Sequence, residues 1–557
     1  MEPLNAHAVA RLLTEIGQRM ELAGELSFKA RAYYNAADSL QALPAPLLEY
    51  VARGKLRTIP GVGEAIAEKI IKLHLTGTHP TLEHLREQMP AGVLEMLRIP
   101  GLGPKKTAQL YQSLNIASLK ELEEACKRGR IKDCKGLGTR MEAKILQGIE
   151  MLRQSSGQSL IDVADERLGA ACELLAKENP KLQRIVPAGS VRRGCELTGD
   201  YCIVAQDGVQ TTEHPSFQPD LQICVSDKNH YGTTLLFATG SGAHLDELCA
   251  LAASQGLALS EKGLFRGGTE LLCPDEQDVY TALGLPYIEP ELREGRGELA
   301  LARKNALPVL VADKDIRGIL HSHTTYSDGS QPLAEMAEAV RKRGYQYYGV
   351  ADHSQTAAYA GGLTEDKVRE QQALADGLNA KYTTTDFHIF KGIESDIRED
   401  GSLDYPENVL RSFDFIVASV HSRFTLDKHT QTARIVKAVS NPRTTVLGHM
   451  TGRLLLRREG YAVDIEEVLN ACARHGVAVE INANPQRLDL DWRWHQRALE
   501  LGCLMSINPD AHSIGEIDLV KWGVRAARKG GVPPQRVLSA MTLKEIAAHF
   551  EKRKLRE

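Results

Sequence analysis

Nine residues in the last third of the sequence are of types that hold divalent metal ions, and they recur in one setting. Short apolar runs each finish in a donor: GILHSH in His321 and His323, YYGVADH in His353, FKGIE in Glu394, IVASVH in His421, TVLGH in His449, and LMSINPDAH in Asp510 and His512. Asp328 follows just after the His-x-His run, making six His, two Asp and one Glu. On a strand, His-x-His turns both imidazoles to one face, because side chains repeat every second residue. Carboxylates can bridge neighbouring ions. Nine donors exceed what one tetrahedral zinc needs and suffice for two or three divalent ions (zinc, manganese or iron) with positions open for water. A site carrying that much positive charge would draw an anionic substrate and activate a bound water for hydrolysis.

The elements that must position these donors are legible around them. From about residue 313 the chain alternates β-rich runs with amphipathic helices. Pro332 suits the first turn and Gly344 the stop of a helix at 332–344, and a second helix, 464–475, ends at Gly476. Seven strand ends, counting VAVEIN at 477–482, would converge on one mouth, as in a (β/α) barrel whose site lies at the C-terminal rim of its strands.

The front third repeats a different pattern, apolar-x-Gly-apolar-Gly followed by a helix: Ile59 to Gly63, Ile99 to Gly103, and Cys134 to Gly138. In the following helices Ile66, Ile70 and Leu73, and Ala108, Leu110 and Leu114, fall at helical spacing. The paired glycines Gly61 and Gly63, Gly101 and Gly103, and Gly136 and Gly138 permit a tight turn and expose N–H groups at a helix start, where a phosphate can sit. Lys69, Lys72, Lys105, Lys106, Arg140 and Lys144 lie on or beside those helices. The segments resemble the helix-hairpin-helix motif, which grips a DNA backbone without reading bases. Phe28-Lys29-Ala30-Arg31-Ala32-Tyr33 resembles the opening domain of family X DNA polymerases, and that resemblance makes Lys69 the candidate lyase nucleophile.

In the middle third a helix at 160–177 precedes the strand-like Arg184-Ile185-Val186-Pro187, then Gly189-Ser190-Val191-Arg192-Arg193, a strand through Asp200-Tyr201-Cys202, and another through Asp220. This resembles the family X nucleotidyltransferase palm. The resemblance implies nucleotide contacts from Gly189, Ser190, Arg193, Gly240 and Ser241, a thumb that includes Gly284 to Arg293, and three carboxylates holding magnesium or manganese. Only Asp200 and Asp220 of the three are present. Cys202 stands at the third position, and a thiol is a poor ligand for a hard, oxygen-preferring ion. Asp207 is expected on the turn after that strand, too far along to substitute. The family's Tyr-Phe pair reads Phe237-Ala238, and Leu245 replaces an expected asparagine.

The nine donors of the last third resemble, in order, the ligand set of the polymerase and histidinol phosphatase (PHP) family of metal phosphoesterases. Arg453 or Arg457, after His449, is then a candidate for holding a substrate phosphate, although Met450 replaces an expected proline.

The resemblances cover the whole chain and imply bacterial family X polymerases fused to a PHP domain. The implied organisation is an N-terminal helical domain with a helix-hairpin-helix (1–95), fingers with two more such motifs (96–155), an α+β palm (156–240), thumb and linker (241–312), and a distorted (β/α)7 PHP barrel (313–557). The implied function is DNA repair by a 3′→5′ exonuclease on gapped, nicked or damaged duplex, with abasic-site cleavage or 3′-end cleaning as related activities. A gap-filling polymerase using dNTPs and a small-molecule phosphatase are the alternatives.

Composition agrees with a folded chain. The 557 residues are 43% hydrophobic and 25% charged, which excludes a wholly disordered or collagen-like polypeptide. The net charge of −4 conceals an asymmetry: residues 1–150 hold 21 Lys/Arg against 17 Asp/Glu, leaving 47 against 55 for the remainder. The ten cysteines form no CxxC pair, as expected of reduced core residues in a cytoplasmic protein. No signal sequence, membrane span or oligomerisation heptad is legible, so a cytoplasmic monomer is expected.

Overall fold

The repeated Gly motifs of the front third fold alike. Val62 N–H donates to Ile59 O at 3.1 Å, Leu102 to Ile99 O at 3.1 Å and Leu137 to Cys134 O at 3.0 Å, so the same hydrogen bond recurs in all three. The apolar residues point inward: Val62, Leu102 and Leu137 are at most 5% exposed. The helices Glu64–Thr76, Pro104–Leu114 and Thr139–Gln154 follow. Gly63 and Gly103 stand at the N-caps of the first two, and no side chain caps either. Gly61 (φ +75°) and Gly136 (φ +83°) take the left-handed conformation that a side chain resists.

This computed structural model describes residues 3–41, 43, 46–99, 102–134, 136–154, 157–207, 221–382 and 386–555. Gly101 and Asp220 lie outside them. The chain forms two compact units, 1–156 with 456–458, and 157–455 with 459–557. The first is helical among its described residues.

The second unit begins with the helix Ile161–Glu178 and a three-stranded sheet. Tyr201–Asp207 is its central strand, antiparallel to Leu182–Pro187 and parallel to Leu221–Ser226. Asp207 is the buried last residue of the central strand rather than part of a turn, because its partner Leu182 extends the ladder that far. A second core gathers around the helices Gly242–Ser254 and Glu276–Ala282 and the hairpins of Leu257–Leu271.

From Gly318 seven parallel strands follow one another in chain order across one sheet, ending at Met505–Asn508. Every residue of Tyr347–Val350, Phe415–Ser419, Ala478–Asn482 and Met505–Asn508 is buried, the pattern of a parallel sheet covered on both faces. His323 N–H donates to Ala511 O at 2.8 Å, which brings the first and last strands together into a nearly closed (β/α)7 barrel. Ile546 and Phe550 of the helix Leu543–Lys554 pack with Tyr347, Phe390, Phe415, Val446 and Ala478, residues near the starts of their strands. That end is therefore filled with apolar side chains, and the opposite end carries the donors. Gly392 allows the packing: a Cβ there would lie 2.3 Å from the Phe415 ring.

The helices match their sequence signals closely. One spans Leu333–Lys342 with Pro332 at its N-cap rather than within its first turn. Another, Ile465–His475, starts at Asp464, whose side chain accepts from Glu467 N–H, and stops at Gly476 with φ +60°.

Candidate metal centre

Every donor of the barrel except Asp328, which lies on the loop after the first strand, sits at or just beyond a strand end, and eight of the nine fall into three overlapping groups. They are His323, Asp328, His353 and His512; His321, His323 and Asp510; and His353, Glu394 and His421, with ligand-type atoms in each group within 4.8 Å of one another. The ninth, His449, joins through Nε2, 3.0 Å from Glu394 Oε1. Glu394 is the hub. Its oxygens also lie 3.3 Å from His321 Nε2, 2.8 Å from His353 Nδ1 and 3.2 Å from His421 Nε2.

The donor set fits bound cations. His323 Nδ1 and His449 Nδ1 are buried without a hydrogen-bond partner, and His321 Nε2, His353 Nδ1 and Glu394 Oε2 are buried beside one another without an aligned hydrogen bond, a concentration of poorly satisfied polar atoms that a folded chain avoids unless something binds there. His321 (φ +57°) and Asp510 (φ +53°) both take left-handed backbone, a local cost of about 1–2 kcal/mol each.

Buried acids and imidazoles hold one another's charge inside the cluster. Burial opposes ionisation of Glu394, yet His421, His321 and His353 hold its carboxyl well below the usual range. Burial likewise lowers His421, but Glu394 and Asp396 carry it up to about 10. Burial and the neighbouring His512 and His353 push His323 down to about 3, so it is neutral at physiological pH, the form that binds a metal.

A set of supporting residues surrounds the donors, and sequence reasoning missed them. Glu480 Oε1 lies 2.6 Å from His321 Nδ1 and also accepts from Asn508 Nδ2 at 2.8 Å, while its Oε2 accepts from His449 N–H at 2.7 Å. Asp396 Oδ1 lies 2.5 Å from His421 Nδ1, and Asn482 donates to Asp510 Oδ2 at 3.0 Å. The available signal was an acid inside an apolar strand, VAVEIN, because a buried charge requires a partner.

The second candidate centre, in the three-stranded sheet, is differently occupied. Asp200 accepts from Ser190 N–H at 3.0 Å and also from the Ser190 hydroxyl. Gly189 (φ +67°) makes this approach possible, since a Cβ there would lie 2.8 Å from Asp200 O. Cys202 is buried in an apolar cluster with Ala188, Val204, Tyr231 and Leu235, its Sγ 4.0 Å from that of Cys224. The Cys224 thiol and burial push Cys202 far above the usual thiol range, so it offers no thiolate. Arg193 is engaged by Glu294 at 2.9 Å and by Thr239 O at 2.7 Å. Gly240 closes the helix Tyr231–Thr239, and Ser241 Oγ caps the next helix by accepting from His244 N–H at 3.2 Å. Among the described residues, one of the three expected carboxylates stands here.

Comparison with known proteins places this architecture. Residues 5–79 match the family described as a helix-hairpin-helix domain, 93–150 a SAM-like helix-hairpin-helix tandem, 234–294 the DNA polymerase beta thumb and 320–484 the PHP domain. The chain is 33% identical over 571 residues to the DNA polymerase/3′-5′ exonuclease PolX of Bacillus subtilis (strain 168), an alignment covering 98% of this chain and 99% of that one. The chain belongs to the PHP-bearing family X DNA polymerases. It is also 26% identical over 233 residues to a protein named as a probable phosphatase from Thermoanaerobacter sp. (strain X514), covering 39% of this chain and 88% of that one. With DNA polymerase lambda of Rattus norvegicus it shares 26% identity over 326 residues, 48% of this chain and 52% of that one.

Within this family X frame, the basic residues divide between braced and exposed ones. Arg453 donates to Arg487 O at 2.8 Å and pairs with Asp491 at 2.6 Å, with a further bond to Leu488 O. It is a loop brace rather than a displayed phosphate ligand. Arg487, not singled out from sequence, instead reaches the PHP donors, its Nε 3.7 Å from Asp510 Oδ2. Lys69 lies on the helix Glu64–Thr76 with Nζ 3.3 Å from Ala65 O, and Lys105 is exposed in the first turn of Pro104–Leu114.

Proposed function

We propose that this protein is a DNA repair nuclease, a metal-dependent 3′→5′ exonuclease that acts on gapped, nicked or damaged duplex, and that its family X palm serves chiefly to hold DNA. One contrast carries the reading: nine donors converge at the barrel mouth, whereas the palm keeps two of its three expected acids in the sequence, Asp200 and Asp220, with a buried Cys202 at the third position. The name of the B. subtilis relative, polymerase and 3′-5′ exonuclease, is in keeping with both centres. The domain bounds proposed are those expected from sequence: 1–95, 96–155, 156–240, 241–312 and 313–557.

His321, His323, Asp328, His353, Glu394, His421, His449, Asp510 and His512 would hold two or three divalent ions, zinc or manganese with iron the third candidate. Such ions supply Lewis acidity and a water activated near neutral pH. The protein's own residues do the rest. Glu480 and Asp396 fix the rings of His321 and His421, and Arg487 stands where it can meet a substrate phosphate. The uncapped helix starts at Gly63 and Gly103, with Gly61, Gly101, Gly136, Gly138 and Lys105, would grip the DNA backbone independently of sequence. Abasic-site cleavage and 3′-end cleaning fall within the same chemistry. The ten free cysteines suit a reducing cytoplasm, and the protein is taken to act as a monomer.

A manganese-supplemented assay on a 5′-labelled gapped duplex, with and without dNTPs, tests this reading. Shortening lost in His353→Ala but retained in Asp200→Ala, with no extension, is expected. Extension that depends on Asp200 would show that the palm is a working polymerase.

A further inference from the structure

Among the described residues from 313 onward, three large apolar side chains are exposed: Tyr359, Leu374 and Leu555. The Tyr359 ring meets the donor cluster. Its centroid lies 6.1 Å from that of His353 and 6.4 Å from that of His421, and 71% of the residue faces solvent.

The turn that carries it is firmly built. Ala357 N–H donates to Ser354 O at 3.0 Å, Gly362 N–H to Ala357 O at 3.1 Å and Leu363 N–H to His353 O at 2.9 Å. Ala357 and Ala360, on either side, are buried. Thr356 is fixed by Asp404, which accepts from its N–H at 2.7 Å and its hydroxyl at 2.9 Å. Gly362 has no room for a side chain, because a Cβ would lie 1.9 Å from Ser354 O. The ring is thus held in place and displayed, leaving in water an apolar surface that the fold could have buried. An aromatic face fixed beside a phosphodiester-binding mouth suits one ligand chemistry: a nucleobase, whose π-face every nucleotide shares.

We propose that Tyr359 is a positioning residue whose ring stacks on the base of the 3′-terminal nucleotide and so sets the scissile phosphodiester in the donor cluster. The inference rests on the nuclease reading above. Stacking demands a base with one face free, so a frayed or single-stranded 3′ end is the substrate favoured, without preference for sequence.

The test compares the full-length wild type with Tyr359→Ala and Tyr359→Phe, manganese-loaded, on two 5′-labelled single strands that end in adenine or in a stable abasic analogue. On the adenine end, Tyr359→Ala is expected to lose about tenfold in kcat/KM, mostly through KM, with Tyr359→Phe close to wild type. On the abasic end the three proteins should be equal. Wild-type cleavage of neither strand would overturn the nuclease reading itself. With the wild type active, three results would overturn the stacking role alone: an unimpaired Ala variant, an equal loss on both strands, or a Phe variant as poor as Ala.

Discussion

Glu480 Oε1 lies 2.6 Å from Nδ1 of His321, and both side chains are wholly buried. This pairing leaves His321 Nε2 to face Glu394 and Asp510. Because the carboxylate orients a metal-facing imidazole, Glu480→Gln should weaken metal retention by about 10–100-fold while leaving the fold intact. Metal content after dialysis against a weak chelator, with circular dichroism as the control, measures this. Wild-type retention in the variant would mean that Glu480 is only a packing residue.

Arg453 and Arg487 should separate stability from activity. Arg453 is 14% exposed and spends its guanidinium on Asp491 and two carbonyls. Arg453→Ala leaves those groups unpaired and should cost on the order of 1–3 kcal/mol, read as a lowered Tm. Arg487→Ala should leave Tm within experimental scatter and lower nuclease kcat/KM by about tenfold or more, since a cation near the mouth is lost. The reverse pattern would restore Arg453 as the phosphate ligand.

These two arginines also show where sequence reading stops. Eight of the nine donors were legible because each stands at the close of a run of apolar residues, a position fixed by local pattern, and Asp328 because it follows the His-x-His run. Glu480 lies inside a strand and Asp396 ends one, and the role of each depends on which ring the barrel brings opposite it. Arg453 and Arg487 are both basic residues of loops, and only the path of 484–491 decides which one turns inward. The three hairpin turns were legible for the opposite reason, since the same five positions carry the whole turn. Asp207 was misplaced by the extra length of its strand, which depends on pairing with Leu182.

Acid should weaken the thumb core through Glu276. Burial raises its carboxyl, but Arg192 and Arg293 more than reverse this and bring it down to about 2 from an ordinary 4.5. Its folded-state pKa is depressed, so its contribution is fully present above pH 4.5 and is lost as pH falls toward 2. A difference of this size is on the order of 3 kcal/mol. Thermal melts of wild type and Glu276→Gln should differ clearly at pH 6, by about half as much near pH 3, and converge only as pH approaches 2. A gap independent of pH would show that the loss is one of packing.

The palm can be asked directly whether one residue silences it. Cys202 lies on the central strand, two residues after Asp200, and is 6% exposed. Cys202→Asp restores an oxygen donor where the family places one, at the cost of a carboxylate beside Cys224 and Ala188 until an ion offsets it. Wild type should show no dNTP incorporation on a gapped duplex with manganese, whereas Cys202→Asp should show measurable extension that disappears in Cys202→Asp/Asp200→Ala. Nuclease activity should be equal in all three, because the barrel donors are untouched. An inactive Cys202→Asp that folds normally would place the block elsewhere, at Phe237-Ala238, Leu245 or the Ser190 bonds that engage Asp200.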